Sequence, residues 1–345
     1  MKPMDPGSGV APRKTLLATD FSSASEAALP YALALAGHYG SDLYVAHVIH
    51  LELMDFLPAE EAATKLQQAR RVTEQQLEPL LETARKKGIP CRRLTGEGAV
   101  WDVLLEMVQQ NGIDLIMVGT HGRQGLAKLL LGSVAEEVFR MAPCPVLTVG
   151  PKISEAPAMD VPPRHILYPV EFVPDESLAA AYAISLAQEF RAKLTFMKVL
   201  EDTVAAPEEE AWVKEPVRHW VDDHVPRGSD LRDRTSFELG FGRASEAIVA
   251  FARDHCVDLI MMGMRHLDPV LAGHLPETDT AYEVARPAPC LVTHSSLISP
   301  ATENAEKEFR DTNNLPPTRL FQGSLAHESS KVHPAGKIET ARPGV

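Results

Sequence analysis

The sequence has few cysteines, too few positive charges to balance its negative ones, and no long apolar run. Cysteine occurs four times in 345 residues, at Cys91, Cys144, Cys256 and Cys290, and never as C-x-x-C. That spacing excludes a zinc knuckle and a thioredoxin-type redox pair. Histidines are frequent in the second half (His219, His224, His255, His266, His274), but none stands in H-E-x-x-H or another tight ligand spacing, so no structural zinc is expected. Lys and Arg number 34 against 47 Asp and Glu, a net charge of −13. This balance argues against a general polyanion-binding surface, so nucleic acid is not an expected partner. No stretch approaches the ~18–20 apolar residues of a membrane span. The first ten residues lack the apolar core of a secretory signal. The expectation is a soluble cytoplasmic protein with reduced thiols and no membrane partner.

What is present is a repeating alternation of short apolar runs and amphipathic stretches. Thr15–Thr19 predicts a strand, followed by Asp20 and by Ser22 and Ser23, which can cap a helix over about Ser25–Tyr39. Leu43–Ile49 predicts a second strand, apolar on both faces, as expected when helices cover both sides. A long helix from about Glu60 to Lys87, a strand Pro90–Leu94, a loop at Gly96 and Gly98, and a helix Val100–Gln110 follow. Asp114–Val118 and Pro145–Val149 complete the set of strands. Strands and helices alternating at this spacing predict a parallel, doubly wound α/β sheet, with every strand's carboxyl end on one edge.

One stretch organises the rest. Gly119 leaves the fourth strand, Gly122 follows after two intervening residues, and Gly132-Ser133 opens a helix that begins at Val134. Glycines expose backbone N–H groups, and the helix start adds its positive dipole end and a capping hydroxyl. This is the layout of an anion-binding loop. Arg123 and Lys128 lie inside it, either to balance phosphate charge or as solvated loop cations. His121 has no evident partner to orient it as a base, so no catalytic residue is assigned.

The pattern then restarts. His165–Phe172 answers the first strand, Val257–Gly263 answers Ile113–Gly119, and Ala288–Val292 answers Ala142–Val146, in the same order. Three ordered matches indicate an internal duplication. Cys144 and Cys290 fall at equivalent points, which suggests shared packing. The copies are unequal: Asp20 becomes Glu171, Gly122 becomes His266, and Gly132-Ser133 becomes Thr278-Asp279. An aspartate at that helix start would repel an anion. The expected organisation is a disordered segment 1–13, a first domain 14–150 with an intact motif, a linker 151–163, a second domain 164–298 with a degenerate motif, and a disordered tail 299–345.

These residues resemble the universal stress protein family, whose signature of Gly, two residues, Gly, nine residues, Gly and Ser or Thr is met by Gly119, Gly122, Gly132 and Ser133. The resemblance implies two tandem Rossmann-like, adenine nucleotide alpha hydrolase-like domains, each a five-stranded parallel sheet with helices on both faces. It implies ATP at the carboxyl edge, and last strands that pair across a two-fold axis, here inside one chain as a pseudo-dimer, with a homodimer left open. The implied nucleotide contacts are Ala18, Thr19, Asp20, Val48, Gly119, Gly122, Arg123, Gly132, Ser133 and Val134. Asp20 could meet ribose, adenine or an ATP-bound Mg²⁺, or simply cap the helix. Val48 could contact adenine or be a core valine. The leading expectation is an ATP-binding stress-response module with one competent site and an unknown protein partner. A slow ATPase or phosphotransfer enzyme and a nucleotide-independent interaction protein remain the alternatives.

Overall fold

The computed structural model describes residues 11–51, 56–120, 133–150, 163–170, 177–200, 225, 229–264, 280–285, 287–288 and 290–296. The segments 1–10, 52–55, 121–132, 151–162, 171–176, 201–224, 226–228 and 265–279, the positions 286 and 289, and the tail from 297 lie outside the described residues, and with them His121, Gly122, Arg123, Lys128, Gly132, Glu171, His219, His224, His266, His274, Thr278 and Asp279.

The first half runs β1 (Lys14–Ala18), α1 (Ser23–Tyr39), β2 (Asp42–His50), α2 (Ala59–Lys86), β3 (Cys91–Gly98), α3 (Val100–Asn111), β4 (Leu115–Gly119), α4 (Ser133–Met141) and β5 (Val146–Val149). The second half repeats it as β6 (His165–Pro169), α5 (Ser177–Glu189), β7 (Lys193–Leu200), a 3-10 turn (Arg232–Arg234), β8 (Thr235–Phe241), α6 (Ala244–Asp254), β9 (Leu259–Met264), α7 (Thr280–Ala285) and β10 (Leu291–Ser296). The third strand is longer than the sequence suggested. Gly96 and Gly98 are its last residues rather than a loop, because β2 continues to His50 and pairs with them as Val48↔Gly96 and His50↔Gly98. A Cβ at Gly96 would stand 2.3 Å from the Val103 side chain, so α3 packs down on the strand only because that position is glycine.

The ten strands form a single sheet in the order β3-β2-β1-β4-β5-β10-β9-β6-β7-β8. Each half is parallel, and the halves meet where β5 and β10 run antiparallel, as Val292↔Thr148, Thr293↔Leu147 and His294↔Val146. The buried Thr148 and Thr293 hydroxyls donate across this seam to the Val292 and Val146 carbonyls at 2.9 and 3.1 Å. A buried hydroxyl must find such a partner, and each bond adds about 1 kcal/mol net. Successive side chains alternate between two cores. Leu16, Tyr44, Ala46, Ile116 and Val146 join Ile260 and Val292 beneath α3, α4 and α6, and Leu17, Leu43, Val45 and Met117 join Ile166 and Leu194 on the side of α1 and α5. Both cores therefore cross the seam.

The strand registers fix which positions correspond. β1 begins against β2 as Lys14↔Asp42, and β6 against β7 as His165↔Lys193, so His38 and Tyr39 at the end of α1 answer Glu189, the last residue of α5, and Phe190, the next. These four meet across the two-fold. His38 Nε2 and the Tyr39 hydroxyl reach the Glu189 carboxylate at 3.0 and 3.2 Å, and both rings lie near Phe190. Positions that would face copies of themselves in a symmetric dimer here carry complementary groups. The pair is exposed, so its coupling is modest: a double-mutant cycle of His38→Ala and Glu189→Ala, read by urea unfolding near pH 6, should give about 0.5 kcal/mol, and additivity would deny the contact.

At the opposite edge, equivalent aspartates clasp the first strands. Asp114 accepts from the N–H groups of Arg13 and Lys14, and Asp258 from those of Arg164 and His165. His165 is buried, with Nδ1–H donating to the His255 carbonyl at 3.1 Å and Nε2 accepting from the Thr195 hydroxyl at 2.8 Å. Burial pushes its pKa below the ordinary 6.5, with nearby Lys193 and His255 acting the same way and Asp258 and the His255 carbonyl opposing. The folded state thus holds His165 neutral while the unfolded chain binds the proton. Its contribution is present above about pH 6.5 and is lost as pH falls below that value. Urea midpoints should drop on acidification to about pH 5.5, and drop less in His165→Gln.

Candidate functional site

Strand order reverses between β1 and β4, so the connections leaving these two strands go to opposite faces and open a crevice at their carboxyl ends. Ala18 closes β1 and Gly119 closes β4. Ala18, Val48 and Val134 belong to the same apolar cluster on the α3–α4 side, Val48 as a buried member and the other two packed against it. Thr19 and Asp20 follow at the lip, and Ser133 begins α4. Seven of the ten positions expected to contact a nucleotide are thereby described: the structure gathers Ala18, Val48 and Val134 in one cluster and sets Thr19, Asp20, Gly119 and Ser133 at element ends. Gly122, Arg123 and Gly132 lie outside the described residues.

The turn from β1 into α1 is held by side chains. Thr19 N–H donates to the Ala46 carbonyl, extending the β1–β2 ladder by one residue. The Thr19 hydroxyl oxygen accepts from Phe21 N–H at 3.0 Å and lies 3.0 Å from the Ser25 hydroxyl. Asp20 Oδ1 accepts from Ser22 N–H at 3.0 Å, and Ser22 caps α1 by accepting from Ser25 N–H. The capping role weighed for Asp20 thus falls to Ser22, with Asp20 bracing the residue that caps. Between them Phe21 has φ of 59°, the left-handed region. An aromatic residue there costs roughly 1–2 kcal/mol, which the surrounding bonds must hold.

Gly119 has a tighter reason to be glycine than a phosphate. A Cβ there would lie 2.4 Å from the Ala24 carbonyl oxygen and 2.7 Å from Ser25 N, backbone atoms of the first turn of α1. The helix start is pressed onto the end of β4, so the motif glycine sets the depth of the crevice. Thr120, fully buried, then ties the chain to β5 through its N–H and the Val149 carbonyl.

The sequence profile of the universal stress protein family matches residues 12–150 and again 163–293. The chain belongs to this family. A universal stress protein of Methanocaldococcus jannaschii is 31% identical over 138 residues, which is 40% of this chain and 81% of that protein. The protein YxiE of Bacillus subtilis is 29% identical over 144 residues, 39% of this chain and 97% of its own length. Among solved structures, a universal stress protein of Archaeoglobus fulgidus superposes with a TM-score of 0.60 at 21% identity, covering 82% of this chain and 98% of that one. A functionally unknown protein of Pseudomonas aeruginosa does so at 0.57 and 17%, covering 88% and 98%. At those identities the superpositions speak for the fold alone.

In the second half of this universal stress protein one backbone bond of the turn recurs, with different side chains beside it. Val170 N–H donates to Met197 as Thr19 does to Ala46, but valine brings no hydroxyl. Lys198 stands where β2 carries His47. His47 and Phe21 escaped the sequence reading. Their partners are a backbone carbonyl and each other, which no spacing rule reveals; position beside Val48 at the end of a strand was the available hint. The equivalent cysteines are buried, and burial pushes the Cys144 thiol up to about 12 and Cys290 higher still, so both are packing thiols without thiolate chemistry. Replacing Gly119 by Ala should force α1 off β4 and cost roughly 1–3 kcal/mol in thermal or urea unfolding. An unchanged melting temperature would show that α1 yields freely.

Proposed function

We propose that the first half binds one adenine nucleotide, ATP, in the β1–β4 crevice, and that this universal stress protein acts as a regulatory module whose occupancy a partner protein reads. The observation that carries the reading is the coincidence of three things at one point: the reversal of strand order, a strained turn that holds Asp20 at the lip, and the glycine-spaced stretch leaving β4. In this reading the apolar cluster under Ala18 and Val48 takes the base, and the backbone N–H groups around Gly119, Gly122, Gly132, Ser133 and Val134 take the phosphates. Arg123 adds charge.

Magnesium fits as a companion of the nucleotide. Asp20 supplies one hard carboxylate, and among the described residues no group of three or more His, Cys, Asp or Glu could hold a metal ion. Phosphate oxygens and water would therefore furnish most ligands, as Mg²⁺ commonly arranges them. The reading needs no turnover. It places the protein in the cytoplasm, in keeping with four cysteines outside any disulfide.

The second half lacks Thr19, His47, Gly122 and the Gly132-Ser133 pair at matching positions, which supports a single site per chain. Calorimetric titration of the full chain with ATP and Mg²⁺ should give one nucleotide per chain. Gly122→Val should weaken binding at least about tenfold, or ~1.4 kcal/mol, without lowering thermal stability. No binding at millimolar nucleotide would refute the proposal, and two nucleotides per chain would refute the asymmetry.

A further inference from the structure

We infer that His47 is a positioning residue for the β1–β4 site: it sets the Thr19–Asp20 peptide and the strained Phe21 turn from which Asp20 is presented. The inference rests on the nucleotide reading for its consequence, and on geometry for its content. His47 Nδ1 lies 2.8 Å from the Thr19 carbonyl oxygen. A carbonyl only accepts, so Nδ1 carries the hydrogen. That carbonyl belongs to the peptide joining Thr19 to Asp20, so the bond fixes the plane from which the Asp20 backbone departs.

The same imidazole lies 4.4 Å from the Phe21 ring, centroid to centroid, at 34° between planes. Phe21 is the residue in the left-handed region. A flat ring against it opposes relaxation of φ toward the right-handed side, which would swing the phenyl ring away. One side chain on β2 therefore grips the turn twice, by a donor on Thr19 and by a face on Phe21. Asp20 sits between the two grips and is itself engaged with Ser22 N–H.

The second half supplies an internal contrast. Its ladder bond from Val170 N–H to Met197 survives at 2.9 Å, equal to that of Thr19 with Ala46. At the position of the imidazole it carries Lys198, which offers no planar face. The bond that closes the ladder is thus common to both halves, whereas the imidazole stands in the half with the intact glycine motif and a lysine in the other. A residue needed only to close the β1–β2 ladder would be expected in both.

Two substitutions separate the grips. His47→Phe keeps a ring over Phe21 and removes the donor; His47→Asn keeps a donor at nearly the reach of Nδ1 and removes the ring. In the full chain, His47→Phe should weaken Mg-ATP binding about tenfold, the scale of one lost hydrogen bond, and His47→Asn should stay within about threefold. Hydrogen exchange without nucleotide gives a second readout. The Phe21 and Ser22 amides should exchange faster in His47→Phe and near the wild-type rate in His47→Asn, while core amides of β1 and β2 do not change. Wild-type affinity in His47→Phe, or equal losses in both variants, would overturn the assignment. Should the wild-type chain bind no ATP, the proposed function fails, and the exchange of Phe21 and Ser22 alone decides whether His47 holds the turn.

Discussion

The antiparallel pairing of β5 with β10 is the contact on which the whole molecule depends. A parallel sheet of five strands would otherwise end at β5 with a row of unpaired backbone groups. Pairing with β10 satisfies that row, continues the sheet, and lets both apolar clusters run through from one half to the other. The buried threonine hydroxyls across the seam show how fully the polar groups there are satisfied. Once the seam is fixed, the twist of one sheet sets the placement of every helix, and the crevice of each half opens at the end of its strands away from the aspartate clasps.

Within the first half, glycines in the strands let helices press close, by backbone at Gly119 and by side chains at Gly96. Gly119 lets α1 settle onto β4, and Gly96 lets α3 settle onto β3. The turn between β1 and α1 then absorbs the sharp change of direction at Phe21. Hydrogen bonds from Thr19, Asp20 and Ser22, with the ring of His47, keep that turn in a conformation it would not adopt alone. Strain held this way persists only because the surrounding bonds over-determine the turn, and it fixes the direction in which Asp20 leaves the strand.

Much of this was legible in the sequence, for identifiable reasons. Buried parallel strands are written as short continuous apolar runs, and the duplication was plain because three such runs recur in order. The pairing of the last strands followed from family resemblance; periodicity alone could not have supplied it. Other features were hidden. Gly96 and Gly98 looked like a loop because glycine usually marks one; the packing of Val103 and Met107 explains the first, and a φ of 138° the second. Gly119 looked like a phosphate contact, and it also answers to Ala24, nearly a hundred residues away in the chain. His47 was silent because its partner is a carbonyl 28 residues distant.

The facing of His38 with Glu189, and of Leu147 with Thr293, has a consequence for how such a molecule can change. In an assembly of two separate identical chains, each substitution arrives twice, and a residue on the symmetry axis always meets itself. Carrying both halves on one polypeptide lifts that restriction. A carboxylate can be placed opposite an imidazole, and one crevice can lose its hydroxyl and ring while the other keeps them. The single chain is therefore free to specialise its halves, while each remains the permanent cover for the other's open edge.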